Sequence, residues 1–294
     1  MDLLVRPITS VAEYHACEAL QRRIWNMPDD LEVVPLHLLL TVHRNGGLLL
    51  GAFQGGELAG FVFGFRGLHH GGKPKHCSHM MGVTPELQSA GIGFRLKCAQ
   101  REAVLAQGLD LVTWTYDPLE SRNAHLNIQR LGAVCQEYIC DYYGPLADGL
   151  NTGLPTDRFQ VEWWVAGDRV ARRLAGDTGA PWPADLPRGN ETVRTRGGFL
   201  APGFLCLDPP APVVKVEIPA DYQAIKAADP GLALEWRLSS RALFETYFAA
   251  GYRVVGHQHV KPGREGQSFY LLEAGYGLGE ASQRRTSTSS LDCH

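Results

Sequence analysis

The feature that most constrains this chain of 294 residues is a glycine-rich turn between a strand pattern and a long amphipathic helix. The strand pattern covers residues 76–83, and the helix predicted over residues 91–108 carries its apolar side chains on one stripe. Gly91 and Gly93 have no Cβ, so an anion can approach the backbone closely. Free N–H groups and the helix dipole at such a helix start favour a pyrophosphate. The turn therefore predicts an α/β fold with an anion site, although a helix that merely packs closely on its strand would show the same pattern.

Around this turn, the first 166 residues alternate between short strands and helices. Residues 48–53 and 58–66, for example, are strand patterns joined by a hairpin turn with two glycines. The predicted order of elements is β-α-α-β-β-β-α-β-α-β-β. This order predicts a mixed α/β sheet flanked by helices.

Composition excludes several classes of function. The formal net charge of −3 is too small to favour a nucleic acid or an anionic membrane as partner. No apolar run approaches the roughly 20 residues of a spanning helix, and the start lacks a secretion pattern. The seven cysteines form no CxxC pair, and His69, His70, His76 and His79 lack the spacing of a metal site. We therefore expect a cytoplasmic protein with free thiols and with no metal, nucleic-acid or membrane partner.

The full phrase around the turn is more specific than its glycines alone. Val83-Thr-Pro-Glu-Leu-Gln88-Ser-Ala-Gly91-Ile-Gly93-Phe94 resembles the coenzyme A-binding motif of the GNAT superfamily of N-acyltransferases, (Arg/Gln)-x-x-Gly-x-(Gly/Ala). The resemblance covers about residues 1–166 and implies a GNAT fold with acetyl-CoA or another acyl-CoA as co-substrate. It implies that the turn binds the coenzyme through Gln88, Ser89, Ala90, Gly91, Ile92, Gly93 and Phe94.

A second block of the same family is present in altered form. The family's pattern is Asn-x-x-Ala-x-x-x-Tyr-x-x-x-Gly-Phe, and Ala124 and Gly132 match it. Ser121, Ile128 and Ala133 stand in place of the Asn, the Tyr and the Phe. In many members that Tyr protonates the departing thiolate, which the hydrocarbon of Ile128 cannot do. Three alternatives follow: another residue is the acid, the thiolate leaves without specific protonation, or the domain binds acyl-CoA without turning it over.

The resemblance implies direct transfer from the thioester to an amine. The strand over residues 76–83 would separate from the strand over residues 111–116 and open a slot for the pantetheine arm. The strand backbone would bind the arm, and a free N–H would polarise the thioester carbonyl; the residues concerned are Met81, Gly82 and Val83. Asn123 and Asn127, four residues apart on one helix face, would bond the pantetheine amides. Helix capping and surface solvation are the alternative for these two residues.

The reaction also needs a base that deprotonates the amine. Three residues near the expected slot are candidates: His79, Asp117 and Glu120. His79 lies two residues before Met81, which places both on the same face of a regular strand. An unperturbed imidazole titrates near neutral pH. A hydrogen-bonded structural histidine is the alternative for His79.

The second half of the chain is organised differently. Residues 167–212 are rich in Pro, Gly and Arg and predict an extended linker. Residues 213–274 predict a β-α-β-β unit that resembles a degenerate half of a GNAT domain, with Tyr247 four residues before Gly251. An ordinary helix followed by a glycine and a strand would show a similar pattern. We expect this unit to pack on the first domain or on a second subunit of a homodimer, and the tail over residues 275–294 to be disordered.

These observations predict an acyl-CoA-dependent N-acyltransferase that transfers acetyl, or a larger acyl group such as succinyl, to a small primary amine such as an amino acid. The alternative is a non-catalytic acyl-CoA sensor or scaffold protein, which Ile128 favours. Acylation of a protein is disfavoured, because the composition shows no extended charged docking surface. We further expect the C-terminal unit to complete the acceptor site, with Tyr247 near it.

Overall fold

The computed structural model describes residues 3–25, 32–144, 153–183, 185–260 and 266–277. The elements of the first half are β1 (Leu3–Pro7), α1 (Val11–Trp25), α2 (Leu36–Arg44), β2 (Leu48–Gln54), β3 (Glu57–Leu68), β4 (Pro74–Val83), α3 (Ile92–Ala106), β5 (Leu111–Tyr116), α4 (Ser121–Ala124) with a π-helix (His125–Arg130), β6 (Val134–Ile139) and β7 (Arg158–Trp164). The elements that follow are α5 (Asp168–Leu174), β8 (Asn190–Arg194), β9 (Leu200–Leu205), β10 (Val213–Pro219), α6 (Tyr222–Ala228), α7 (Pro230–Ala249), β11 (Tyr252–Val260) and β12 (Gln267–Ala274).

One mixed sheet of ten strands runs through both halves, in the order β1-β2-β3-β4-β5-β7-β6-β11-β12-β10. Its neighbouring strands are antiparallel except for β4 and β5, which are parallel. β8 and β9 form a separate hairpin. The predicted fold class, a mixed α/β sheet flanked by helices, is confirmed, and the elements up to β7 come in the predicted order.

Helices cover both faces of the sheet, because successive side chains of a strand point to opposite faces. In β3, Phe61 and Phe63 pack with α1 and α2, whereas Val62 packs with Ile92 and Leu96 of α3. We call these two surfaces the α1–α2 face and the α3 face.

The π-helix and α7 also lie on the α3 face. A side-chain carbon of Leu126 in the π-helix lies 3.8 Å from where a Cβ on Gly93 would stand. Ile128 of the π-helix and Phe244 of α7 are fully buried in one cluster with Val112 of β5. A single core therefore joins the N-terminal and C-terminal halves of the chain.

The C-terminal strands repeat the arrangement of the strands before them. β5, β7 and β6 are neighbours in that order, and β10, β12 and β11 are neighbours in the corresponding order. The two sets meet antiparallel, β6 beside β11, through Cys135 and Val254. An approximate twofold axis perpendicular to the sheet therefore relates them, and α7 packs on β6 while the π-helix packs on β11, as that axis requires. This topology agrees with the predicted repeat, with two helices, α6 and α7, in place of one.

Residues 167–212 hold more structure than the predicted extended linker. They contain α5 and the β8–β9 hairpin, which the many Pro and Gly residues concealed in the sequence pattern. Just before β8, Arg188 pairs in parallel with Lys215 of β10, and the Asn190 side chain exchanges two hydrogen bonds with the backbone of Glu217. The division of the chain into domains stays a prediction. So does the disorder of the tail, of which residues 278–294 lie outside the described residues.

Tyr247 is fully buried within the C-terminal half. Its hydroxyl donates to the carbonyl of Cys206 at 3.1 Å, and its ring contacts Tyr252. A Cβ on Gly189 would lie 3.0 Å from the same hydroxyl. Tyr247 thus holds the segment after α5 against α7, and the idea that this unit completes an acceptor site stays a prediction.

Candidate functional site

The turn that leads from β4 into α3 presents a row of free backbone N–H groups. Ser89 and Gly91 have positive φ angles of 70° and 80°, and α3 begins directly after Gly91. A left-handed residue before right-handed helical residues directs successive N–H groups to one side, an arrangement that binds anions. Among the described residues, no acceptor bonds the N–H groups of Ser89, Gly91, Ile92, Gly93 or Phe94. The turn therefore has the donors that a phosphate group needs.

Gly91 and Gly93 have different surroundings in this turn. Gly91 takes a left-handed conformation that favours glycine, and the space where its Cβ would stand is empty to 4 Å. A Cβ on Gly93 would instead lie 3.4 Å from Cε of Met81. This is an ordinary van der Waals contact, so the expectation that both glycines clear a path for phosphate oxygens stays a prediction.

β4 and β5 separate in the direction of this turn. They pair at only two positions, His76–Val112 and Cys77–Thr113. From Ser78 and Trp114 onward the two strands are no longer paired. Parallel strands that start in contact and then diverge leave a wedge between them. We call this wedge the slot; it is narrow at Ser78 and Trp114, and it opens at the carboxyl ends of both strands, where the turn stands.

The backbone of β4 offers hydrogen-bonding groups to the slot. The N–H of Thr84 donates to the carbonyl of Ala59, on the β3 side. Because N–H directions alternate along a strand, the N–H groups of Met81 and Val83 point away from β3, into the slot. Gly82 directs its N–H to β3, and α1 packs too closely on it to admit a Cβ. The N–H groups of Met81 and Val83 thus face the slot, and their binding of a pantetheine arm stays a prediction.

A β-bulge places His79 on the α1–α2 face. The register between β3 and β4 shifts by one residue here and leaves His79 as the extra residue. Its imidazole contacts the rings of Phe63 and Phe65, whereas Met81 packs with α3. The expectation that His79 shares a face with Met81 is therefore wrong, because the bulge resets the alternation of side chains. His79 still borders the slot and is exposed to solvent, and partial burial of its ring lowers its pKa.

Asp117 lies at the junction of the two halves. Its two oxygens accept hydrogen bonds from Arg237 of α7, and one of them also accepts from the N–H of Leu119. Burial alone would raise the pKa of Asp117, but the charge and the hydrogen bonds of Arg237 outweigh burial and keep the pKa below its usual value. A carboxylate held in this way takes up no proton near neutral pH, which argues against Asp117 as the base.

Glu120 belongs to the same junction. Its carboxylate accepts a hydrogen bond from Gln223 of α6 and lies 3.8 Å from the ammonium of Lys226 on the same helix. Burial, followed by repulsion from Asp117, raises the pKa of Glu120. The structure brings Asp117 and Glu120 together but turns both toward the C-terminal half, and His79 is not among their contacts.

The helix after β5 carries the two asparagines and the altered tyrosine position. Asn123 is exposed, whereas Asn127 is nearly buried and forms no side-chain hydrogen bond with another described residue. A bond between its amide and a pantetheine arm stays a prediction. Ile128 is fully buried in the core.

Sequence reasoning missed a buried lysine at the narrow end of the slot. Lys97 of α3 is only 2% exposed, and its Nζ donates to Oγ of Ser78 at 2.8 Å and to Oε1 of Gln100 at 3.1 Å. The same Nζ lies 3.8 Å from the ring centroid of Trp114. The signal in the sequence was slight: Lys97 and Gln100, three residues apart, adjoin the apolar stripe of α3.

Two tyrosines border the slot on the α1–α2 face. Tyr142 and Tyr143, which follow β6, are about half exposed, and their ring centroids are 4.7 Å apart. The hydroxyl of Tyr143 lies 3.4 Å from Oγ1 of Thr115 on β5. Since His79 stands on the same face of β4, this side of the slot combines an imidazole with phenol and hydroxyl groups.

Comparisons with known proteins find similarity only at the level of structure. No protein-family model and no curated protein matches the chain. The NatC complex bound to Gag peptide and CoA contains a chain that is 14% identical, with a TM-score of 0.44, over 55% of this chain and 98% of that chain. A GNAT-family acetyltransferase from Streptococcus pneumoniae is 17% identical, with a TM-score of 0.43 and coverage of 55% and 98%. The ribosomal-protein-S18-alanine N-acetyltransferase from Escherichia coli is 14% identical, with a TM-score of 0.44 and coverage of 57% and 97%.

The resemblance of the sequence to the GNAT superfamily implies the order of the elements up to β7 and the separation of β4 from β5, and the structure has both. The fold is GNAT-like. The GNAT-like part ends with β7, and the full sheet exceeds a single GNAT domain. Within the part of the chain that the structure describes, no helix has the length and apolar character to cross a membrane. In the same part, no group of three or more His, Cys, Asp or Glu side chains is placed to hold a metal ion.

Proposed function

We propose that the protein is an acyl-CoA-dependent N-acyltransferase that transfers acetyl or a larger acyl group to a small primary amine such as an amino acid. The observation that carries the proposal is the position of the free N–H groups of Ser89 and residues 91–94 at the open end of the slot. An anion site in line with a slot that backbone amides border suits a pyrophosphate joined to an extended pantetheine chain.

The reaction that this arrangement supports is direct attack. The amine nitrogen attacks the thioester carbonyl carbon, the C–N bond forms, and the C–S bond breaks to release coenzyme A. The N–H of Met81 or Val83 would bond the carbonyl oxygen as its negative charge develops. The amine proton passes to His79, which is neutral near pH 7 because its pKa is lowered and which stands on the solvent-exposed α1–α2 face.

The sulfur in this proposal leaves as a thiolate and takes its proton from water. Ile128 cannot supply that proton, because it has no titratable group and is fully buried. A thiolate is a fair leaving group without an acid.

Binding and turnover test the proposal separately. Coenzyme A should bind the full-length protein in calorimetry, and acetyl-CoA with a mixture of small amines should release free thiol. His79→Asn should lose most of the turnover at unchanged affinity for coenzyme A, because the site of binding lies at the turn. His37→Asn on α2, exposed and outside the slot, is the matched control. If His79→Asn retains full turnover, the base is assigned to the wrong residue.

A second function, a non-catalytic acyl-CoA sensor, is favoured by one observation. Ile128, at the altered tyrosine position, lies in the core. Of the three predicted catalytic candidates, Asp117 and Glu120 lie at the junction of the two halves, and His79 alone remains at the slot. Coenzyme A binding without thiol release for any amine would support the sensor and contradict the enzyme.

We also propose that the protein acts in the cytoplasm, forms a homodimer, and has no nucleic-acid or membrane partner.

A further inference from the structure

Lys97 is a buried cation without a buried anion beside it. Its Nζ contacts the neutral groups of Ser78 and Gln100 and the face of Trp114. Within the described residues, no carboxylate forms an ion pair with it. A charged ammonium in such a place is costly unless an anion compensates for it. Burial accordingly lowers the pKa of Lys97 to about 7.

The groups around Lys97 add further donors. His76 is fully buried, and its Nε2 accepts a hydrogen bond from the amide of Gln100. The proton of this neutral imidazole is therefore on Nδ1, which has no hydrogen-bond partner among the described residues. Ser78 and Gln100 each accept one hydrogen bond from Nζ, which leaves the third proton of a charged Lys97, like the Nδ1 proton of His76, without a hydrogen-bond acceptor among the described residues. We call these four residues the Lys97 cluster.

The Lys97 cluster marks the narrow end of the slot. Ser78 and Trp114 are the first residues of β4 and β5 beyond the paired positions, and Nζ of Lys97 contacts both. A coenzyme whose pyrophosphate lies at the turn would enter the slot from the open end. Its acyl group would be the part that extends farthest toward Lys97.

The distance along β4 suits a short chain. Met81, whose N–H faces the slot, lies three residues after Ser78 on β4, which is at most about 10 Å because the bulge at His79 shortens the strand here. A four-carbon dicarboxylic acyl group, with a hydrogen bond of about 2.9 Å at each end, has about that reach. An acetyl group would end well before the ammonium.

We propose that the slot is built for an acyl group that ends in a carboxylate, such as succinyl, and that Lys97 binds this carboxylate. The inference rests on the proposed function and specifies its acyl donor. The carboxylate supplies the anion that the Lys97 cluster lacks, and the cluster sets the length of the acyl chain.

Succinyl-CoA and butyryl-CoA form a matched pair for the test, because both acyl groups have four carbons and only succinyl carries a carboxylate. The full-length protein should bind succinyl-CoA at least about tenfold more tightly than butyryl-CoA in calorimetry, as expected for a buried charge-assisted hydrogen bond. Lys97→Met, which removes a buried charge at similar volume, should reduce this preference to about twofold or less and leave the affinity for free coenzyme A unchanged. Lys75→Met, on β4 just beyond the paired end of the slot strands, should retain the preference.

The outcomes separate this inference from the proposed function. If no form of coenzyme A binds, the proposed function fails and the acyl assignment fails with it. If coenzyme A binds and the wild-type protein binds succinyl-CoA and butyryl-CoA with equal affinity, only the carboxylate inference is overturned. If the preference persists in Lys97→Met, the carboxylate has another partner and Lys97 is wrongly assigned. The first comparison uses wild type alone, so it holds even where a variant fails to fold.

Discussion

The carboxylate of Asp117 and the guanidinium of Arg237, 120 residues apart in the chain, form two hydrogen bonds in a site closed to solvent. The pair joins the end of β5 to the middle of α7, and Arg158 lies 4.0 Å from the same carboxylate. A bidentate pair of this kind fixes the relative orientation of two elements as well as their distance. The slot strand β5 is thus anchored by the C-terminal half of the protein.

Loss of one partner of this pair should be strongly destabilising. Asp117→Asn leaves the guanidinium of Arg237 buried without its anion, and we expect the free energy of unfolding to fall by about 3–5 kcal/mol in urea titrations. Asp110→Asn is the matched control, because its partner Lys73 is largely exposed and such pairs contribute about 0–1 kcal/mol. An Asp117→Asn variant with wild-type stability and reduced turnover would instead support Asp117 as the base.

Substitution at the turn should separate backbone strain from ligand binding. A valine at Gly91 must adopt a left-handed conformation, at a cost of about 1–2 kcal/mol, and its side chain enters the space proposed for the pyrophosphate. We expect affinity for coenzyme A to fall at least about tenfold by calorimetry. Gly108→Val, at the other end of α3, has φ +73° and equally open surroundings, so it should suffer similar strain and retain affinity. Equal affinities in the two folded variants would contradict the anion site.

The pH profile should report His79. Because burial lowers its pKa below the usual value of about 6.5, the neutral base is present at pH 7 and is lost as the pH falls through the lowered pKa. We expect kcat/KM to be level near pH 7 and to decline only below about pH 6.5. This acid limb should persist in His37→Asn and disappear from the residual activity of His79→Asn. A His79→Asn variant that keeps the acid limb would contradict His79 as the base.

A histidine cluster should make the fold sensitive to acid. Burial, with repulsion from His259 and His125, lowers the pKa of His257 to about 2, while its Nε2 bonds Oγ of Ser268 at 2.8 Å. A pKa lowered on folding means that the unfolded chain binds more protons, so this contribution to stability is complete above about pH 6.5 and falls below it by up to about 1.4 kcal/mol per pH unit.

Replacing His257 should flatten this dependence. Between pH 6.5 and 4.5, His257→Gln should lose stability less steeply than wild type in urea titrations, since glutamine does not titrate there. His37→Gln, at an exposed position, should follow wild type. Parallel curves for His257→Gln and wild type would show that the histidine is protonated in the folded protein.

Local patterns were sufficient to predict the order of the elements and the position of the turn. Hydrophobic periodicity and turn glycines are properties of neighbouring residues, which is why the strands and helices up to β7 and the start of α3 at Gly91 could be predicted from the sequence. The same local patterns predicted the elements from β10 to β12. The glycines and prolines of residues 167–212 have no such periodicity, and α5 and the β8–β9 hairpin were missed there.

The candidate site depended on contacts that are distant in the chain. The face that His79 occupies is set by a bulge in its pairing with β3, and a sequence pattern shows strands but not their register. Asp117 and Glu120 find partners more than 100 residues away, on α6 and α7. Lys97 acquires its significance only because β4 and β5 separate beside it.

The approximate twofold axis between β6 and β11 has a genetic consequence. In a symmetric pair of identical subunits, every substitution occurs twice, once on each side of the axis. Here both sides belong to one polypeptide, so each side can mutate alone. The two equivalent helix positions differ: Ile128 stands beside the slot strands, and Tyr247 stands in the half where its hydroxyl bonds the chain before β10. Selection can therefore retain a tyrosine for folding on one side while it is absent on the other.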